Sequence, residues 1–260
     1  MRFFQKSFGQ KYAYVYDAFY ADKNYIKEFS NLYTRLSKNN FELFGKKILE
    51  IGCGTGNFSV NLGNNNELVA IDPSKEMISI AREKHPHLEN SFLFSSIEEF
   101  DQRNTSNENF DLIILLFHVF SYLSEQEVES LINLSTRLLK KGGFLVFDYW
   151  DRLGTEKFPP QITTKGVKQD NSIYVRLANP IDVSDYIGYS INNIKIDIYQ
   201  ISPKSRIKRL LSEIHTLRSY DSQYLDVIMK NFSLKENFDL ISGNKYKGQT
   251  YGNCKILRNE

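Results

Sequence analysis

The stretch ILEIGCGTGNFS, residues 48–59, constrains this chain more than any other. Three glycines, Gly52, Gly54 and Gly56, stand at alternate positions directly after a run of aliphatic residues. Glycine inside a strand or helix costs stability, so such a cluster marks a backbone that turns sharply or lets a ligand come close. Between a strand and a helix, a turn of this kind can touch a nucleoside-bearing ligand.

The flanking pattern supplies those elements. KKILEI (46–51) reads as a short buried strand, and a helix follows to about Leu62. LVAID (68–72) is a second strand. PSKEMISIAREKH (73–85) is a helix with Pro73 at its start, where a missing N–H does no harm. SFLFSS (91–96) and FDLIILLF (110–117) are the third and fourth strands. SEQEVESLINLSTRLLKKGG (124–143) is a helix with a Ser124–Glu127 capping relation, expected to stop at Gly142-Gly143. FLVFDYW (144–150) is the fifth strand. Strands alternating with helices at this spacing predict an α/β fold with a parallel sheet covered on both faces.

The first 44 residues read as helical, with a break around residues 21–24. After Trp150, segments 172–178, 185–201 and 205–220 alternate polar and apolar residues, which predicts an antiparallel sheet. YLDVIMKNF (224–232) is a helix, and FDLIS (238–242) and YGNCKILR (251–258) are closing strands. The expected organisation is a single domain: a helical cap over 1–44, a core over 45–150, an antiparallel insertion over 151–220, and a closing helix and strands over 221–260.

Composition narrows the partners. With 33 basic and 31 acidic residues the formal net charge is +2, which gives no strong attraction to nucleic acid or anionic lipid. The apolar run LIILLF (112–117) is too short to span a bilayer, and MRFFQKSFGQKYAY does not resemble a leader. Cys53 and Cys254 make no disulfide framework. A cytoplasmic protein is expected.

Asp72 ends the second strand twenty positions after Gly52, where a carboxylate accepts hydrogen bonds from ribose hydroxyls. That pairing alone says only that the ligand is of adenosine type. Three details go further. Asn57 stands where the dinucleotide pattern G-x-G-x-x-G needs its third glycine. Glu50, two residues before Gly52, would repel a pyrophosphate but favour an ammonium or a sulfonium. No Lys-Ser/Thr pair ends the run, which excludes a triphosphate loop.

Glu50-Ile51-Gly52-Cys53-Gly54-Thr55-Gly56 matches E-x-G-x-G-x-G in full, and the chain resembles the class I S-adenosylmethionine-dependent methyltransferases. VAIDPSKEMISIARE (69–83), FDLIILLFHVFSYL (110–123) and LLKKGGFLVFDYW (138–150) are similar to further segments of that family. The resemblance implies a Rossmann-like, seven-stranded, mostly parallel sheet. It also implies S-adenosyl-L-methionine as cofactor, with S-adenosyl-L-homocysteine as product. The residues it assigns to the cofactor are Glu50, Gly52, Cys53, Gly54, Gly56, Asp72, Pro73, Met77, Ser96, Ile97, Leu116 and Phe117. Ser96 is a departure, since family members commonly carry an Asp there.

Tyr12, Tyr16 and Tyr20 share one helical face of the N-terminal arm. YDAFYADKNY (16–25) resembles the arm that caps the cofactor in small-molecule members of the family. That likeness puts Tyr12, Tyr16 and Tyr20 at the cofactor, Tyr20 also at the chemistry, and Tyr25 at the acceptor. The plainer alternative is an aromatic face packed on the core. His118, directly after the fourth strand, is the candidate general base, with a strand cap or cofactor packing as the alternative. Tyr122 and Asp148 are expected on the acceptor wall.

In EIHTLRSYD (213–221), Glu213 and His215 can share a strand face. His215 and Arg218 are expected to hold a polar or phosphorylated acceptor, against the alternative of ordinary surface pairing. Asp148 and Asp151 lack the adjacent Asp-Asn pair of metal-dependent members, so no metal is expected.

The expected activity is methyl transfer to a hydroxyl, ahead of an amine, of a sugar, a nucleotide-linked sugar or a polysaccharide precursor. An RNA methyltransferase and a non-catalytic cofactor-binding protein are the alternatives. The expected partner is a small-molecule acceptor, with no membrane and no nucleic acid, and the chain is read as a monomer or homodimer.

Overall fold

In chain order the helices are α1 (Gln10–Phe19), α2 (Tyr25–Lys38), α3 (Ser59–Gly63), α4 (Lys75–Lys84), α5 (Ile97–Arg103), α6 (Val119–Tyr122), α7 (Glu125–Leu138), α8 (Arg152–Lys157) and α9 (Ser222–Ile228). The strands are β1 (Lys47–Ile51), β2 (Glu67–Asp72), β3 (Phe92–Phe94), β4 (Phe110–Leu115), β5 (Leu139–Asp151), β6 (Thr163–Gln169), β7 (Ser172–Tyr186), β8 (Tyr189–Ile201), β9 (Ile207–Tyr220), β10 (Ser233–Phe238) and β11 (Gly252–Arg258). This computed structural model describes residues 8–104, 110–204, 206–248, 250 and 252–260. Residues 205 and 251, where two strands were expected to begin, lie outside the described residues, as do positions 1–7 of the N-terminal stretch.

The core sheet runs β3-β2-β1-β4-β5, all parallel, and continues through β11, antiparallel to β5, to β10. That is the expected seven-stranded α/β sheet. Its strands are buried on both faces because aliphatic residues occupy both parities. Leu49, Ile113, Leu115, Leu145 and Phe147 pack into one layer, whereas Ile48, Leu112, Ile114, Phe144 and Val146 pack into the other.

The antiparallel segment is larger than expected and is no separate sheet. Strands β6 to β9 form an antiparallel wing, and β9 joins β5 in parallel through Trp150↔Ser219 and Asp151↔Tyr220. The reason is length. Pairing of β4 with β5 ends at Leu115↔Phe147, so the last residues of β5 run past β4 and offer β9 an edge. Helix α1 packs on this wing: Tyr12, Ala13, Val15 and Phe19 meet Tyr174, Ala178, Ile196 and Ile198, with Met77 of α4 in the same cluster.

Local signals held where side chains do the capping. Ser124 and Glu127 form both halves of a capping box, and Ser96 and Glu99 repeat it at α5. Two expectations are corrected. Helix α7 stops at Leu138, and Gly142-Gly143 lie inside β5, where Gly142 takes φ +81° and its N–H donates to the Asn259 carbonyl at 2.6 Å. The strand expected at 238–242 is instead Ser233–Phe238, because Asp239 folds the next residues into a turn through its bond from the Ser242 N–H. Among the described residues no helix is long and apolar enough to cross a membrane.

Candidate functional site

The glycine loop is shaped by three left-handed residues with different duties. Gly52, Gly54 and Gly56 have φ of +77°, +55° and +78°. A Cβ on Gly52 would stand 2.5 Å from a Val119 methyl, and one on Gly56 2.8 Å from the Phe92 ring, so these two allow close packing. A Cβ on Gly54 would meet nothing within 4 Å, so this glycine serves the open side of the loop. The Gly52 and Cys53 N–H groups donate to the Ile71 carbonyl at 2.8 and 3.1 Å, which fastens the turn to β2.

Asp72 completes the frame. Its two carboxylate oxygens accept from the Gly54 N–H at 2.9 Å and the Ser74 N–H at 2.8 Å. Burial pushes its pKa up to about 6, against those two bonds, which favour the charged form.

Around this frame lies a cleft that is open on one side. Its walls include Gly52, Cys53, Gly54, Asp72, Pro73, Met77, Ser96, Ile97, Leu116 and Phe117, ten of the residues expected to hold the cofactor, together with Tyr16 of the arm. Tyr25 and Tyr122, expected at the acceptor, line it too, and so do Phe8, Thr55, Asn57, Ser74 and Val119. The fit to S-adenosylmethionine rests on this donor set. A carboxylate faces where ribose hydroxyls need an acceptor, Met77, Ile97 and Leu116 provide apolar surface for a flat base, and the bare Gly54 lets the backbone be approached. Ser96 spends its hydroxyl accepting from the Glu99 N–H as the cap of α5, yet keeps its proton to donate.

Several expected residues stand elsewhere. Glu50 does not line the cleft: it shares the strand parity of Ile48, is 5% exposed, and accepts from the Ser59 hydroxyl behind the loop. Burial there pushes its pKa up to about 7. Gly56 lies beneath Phe92 and His85 rather than on the wall. Tyr12 is buried one layer out, its hydroxyl accepting from Arg176 Nε at 3.2 Å. Tyr20 stands beside Tyr16, ring centroids 4.6 Å apart, and is screened from the cleft by it. The Tyr12, Tyr16 and Tyr122 phenols are all driven up by burial, so they remain protonated and act as donors near neutral pH.

His118 and Asp148 form a pair just behind Phe117. The His118 N–H donates to Asp148 Oδ1 at 2.7 Å, and its Nδ1 lies 3.3 Å from Oδ2. A proton on Nδ1 facing the carboxylate puts the basic lone pair on Nε2. Burial and nearby Lys23 lower the imidazole pKa against the pull of Asp148, so the ring is neutral near pH 7. Neither residue lines the cleft itself. Phe117 and His118 both take left-handed φ, 64° and 68°, a strained exit from β4 that the Asp148 bond holds.

His215, 1% exposed, lies behind Tyr122: its Nδ1 is 2.9 Å from the Tyr122 hydroxyl and its Nε2 3.4 Å from Glu213. Arg218 is not with it. Three positions along a strand put the two on opposite faces, and Arg218 donates to the Leu123 carbonyl at 2.8 Å.

Sequence reasoning missed the bonds that fasten the arm. Asp17 of α1 accepts from Thr55 Oγ1 at 2.6 Å and Asn57 Nδ2 at 2.8 Å, and it pairs with Lys84 of α4. These bonds hold the Asp17 pKa below its usual value despite partial burial. A lone acid on an otherwise aromatic helix face was the available signal.

Residues 48–143 match a family model described as a methyltransferase domain. An uncharacterized methyltransferase of Bacillus cytotoxicus is 31% identical over 183 residues, covering 68% of this chain and 79% of the relative. The chain spans only 63%, 56% and 46% of the length of three other curated methyltransferases, the last a tRNA N(3)-methylcytidine methyltransferase of Schizosaccharomyces pombe, 31% identical to it. Among solved structures, an S-adenosylmethionine-dependent methyltransferase from Clostridium acetobutylicum superposes with a TM-score of 0.73 at 21% identity, over 95% of this chain and 97% of that one. A sugar N-methyltransferase from Streptoalloteichus gives 0.73 at 16% identity, over 100% and 97%. At such identities the solved structures show a common fold.

Proposed function

The chain belongs to the class I S-adenosylmethionine-dependent methyltransferases, and on that premise we propose that it methylates a small, sugar-like acceptor at a hydroxyl or an amine. S-adenosylmethionine is the cofactor of this family, and when bound it supplies a methyl group activated by a positive sulfur. One observation carries the reading: the glycine loop, the Asp72 carboxylate and the phenol wall of the arm converge on one cleft. Asp72 takes the ribose hydroxyls, and Gly54 leaves room for the backbone to be approached. Tyr16, Tyr25, Phe117 and Tyr122 exclude water, and the phenols among them turn hydroxyls toward the acceptor.

The neutral His118, oriented by Asp148 just behind Phe117, serves in this reading as the base for an acceptor that reaches past Phe117, a role worth about 10²–10⁴-fold in rate. The sugar N-methyltransferase from Streptoalloteichus supports a sugar-like acceptor, since its superposition spans the whole of this chain. Reading β6 to β9 as the acceptor-side lid follows from the same likeness.

The test is calorimetric titration with S-adenosylhomocysteine and with NADH, followed by a screen of amino- and hydroxy-sugar nucleotides for methyl acceptance. Binding of the former alone, with turnover lost in His118→Ala at unchanged S-adenosylhomocysteine affinity, is expected. Binding of NADH alone would overturn the cofactor assignment, and an unchanged rate in the variant would remove His118 from the chemistry. Turnover on transfer RNA rather than sugars would favour the reading suggested by the S. pombe relative.

A further inference from the structure

The wing face covered by α1 is largely apolar, with a few charged residues set into it. Strand parity and register put Tyr174, Arg176 and Ala178 of β7, Ile196 and Ile198 of β8, and Glu213 and His215 of β9 on that face. Glu213 lies 3.4 Å from His215 Nε2. Arg176 has no such partner. Its Nε donates to the Tyr12 hydroxyl at 3.2 Å, and the groups acting on its charge are the phenols of Tyr12, Tyr20 and Tyr122. Among the described residues no carboxylate pairs with it. Glu213 is two strands away, roughly 10 Å at ordinary strand spacing.

The residue directly opposite Arg176 on the β6 edge is a second cation, Lys165, whose ammonium is taken by Asp22 at 2.6 Å. Like charges facing each other across a strand pair are unfavourable, and a part-buried guanidinium without an anion is costly. Both costs fall if an oxyanion sits between the guanidinium fork and the phenols, since that fork matches two oxygens of a carboxylate or phosphoryl group.

We infer that Arg176, with the Tyr12 hydroxyl bonded to it, forms an oxyanion subsite for the acceptor. Its place in the molecule suits that task. Tyr122 lines the methyl-transfer cleft, and Tyr20 stands against Tyr16, which also lines it, so the subsite lies one phenol beyond the reacting end. The acceptor therefore carries a phosphoryl or carboxylate group remote from the atom that receives the methyl. This rests on the methyltransferase reading for the acceptor's role, while anion binding can be measured without turnover.

The experiment is calorimetry on the full chain, with and without saturating S-adenosylhomocysteine, titrating inorganic phosphate, inorganic pyrophosphate and succinate. Wild-type protein should bind at least one probe, and Arg176→Gln should weaken that binding about tenfold or more while S-adenosylhomocysteine affinity stays the same. Binding of phosphoryl probes alone points to a phosphorylated acceptor, and binding of succinate alone to a carboxylated one. Either outcome supports the subsite. Absence of probe binding to the wild type, or equal binding by Arg176→Gln, overturns it. If Arg176→Gln fails to hold S-adenosylhomocysteine, Arg176→Lys decides: a several-fold loss of probe affinity with the cofactor product still bound supports the subsite, and no loss overturns it. Failure of the wild type to bind S-adenosylhomocysteine strikes the methyltransferase reading instead, and the titrations run without it still judge the anion site.

Discussion

Two of the buried carboxylates, Asp72 and Glu50, carry a marked pH dependence. Asp72 titrates near 6 in the folded chain against an ordinary 3.8, so between those values the native state holds the extra proton. Its contribution to stability is therefore fully favourable below about pH 4 and lost as pH rises through 6. Ribose hydroxyls need the ionised form as acceptor. S-adenosylhomocysteine should bind more tightly as pH rises from 5 to 7, and Asp72→Asn should flatten that profile and cost about tenfold in affinity at pH 8. Calorimetry at three pH values reads both effects.

Glu50 follows the same sign, from an ordinary 4.5 to about 7. Glu50→Gln keeps the acceptor for Ser59 and removes the buried charge. Urea unfolding should show the variant more stable than wild type by up to about 3 kcal/mol at pH 8, with the gap closing near pH 5. A gap of equal size at both pH values would mean that the effect is not ionisation.

At the scale of elements, the arm is held by side chains more than by backbone. Asp17 gathers Thr55, Asn57 and Lys84, joining α1 to the glycine loop and to α4 across the cleft mouth. Asp17→Ala should speed release of S-adenosylhomocysteine by about tenfold with the association rate little changed, measured by stopped-flow fluorescence. Equal release rates would show that α1 stays closed by its apolar contacts alone.

The same scale explains what the sequence made legible. Apolar runs bounded by turn residues gave β1, β2, β4 and the register of the glycine loop, because those strands are buried on both faces and written in aliphatics. The edge strand β6, TTKGVKQ, carries a single apolar residue, Val167, and its partners arrive from β7, so no local pattern announces it. Gly142-Gly143 looks like a helix stop but serves a strand whose pairing partner lies over a hundred residues away. In the site, Asp72 and the glycines were legible because backbone geometry demands them. The displacement of Glu50 and Arg218 depended on strand parity relative to neighbours, and Arg176 shows its character only when the whole wing face is assembled.

At the scale of the molecule, a single sheet carries the cleft and the wing beside it. The glycine loop and Asp72 stand at the ends of β1 and β2. The wing bearing Arg176 and His215 is tied to the core sheet by two β5 residues and by α1.

The placement of β11 between β5 and β10 also dictates an order of assembly. Until Gly252–Arg258 has been synthesised, β5 has no neighbour along Phe144–Trp150 on that flank, although its own partners on the other side were made long before. The nascent core thus waits with a long apolar edge exposed, the kind of edge that recruits foreign strands. A fragment of residues 1–232 should accordingly aggregate and require a chaperone to stay dispersed, and adding the 233–260 segment in trans should restore its solubility.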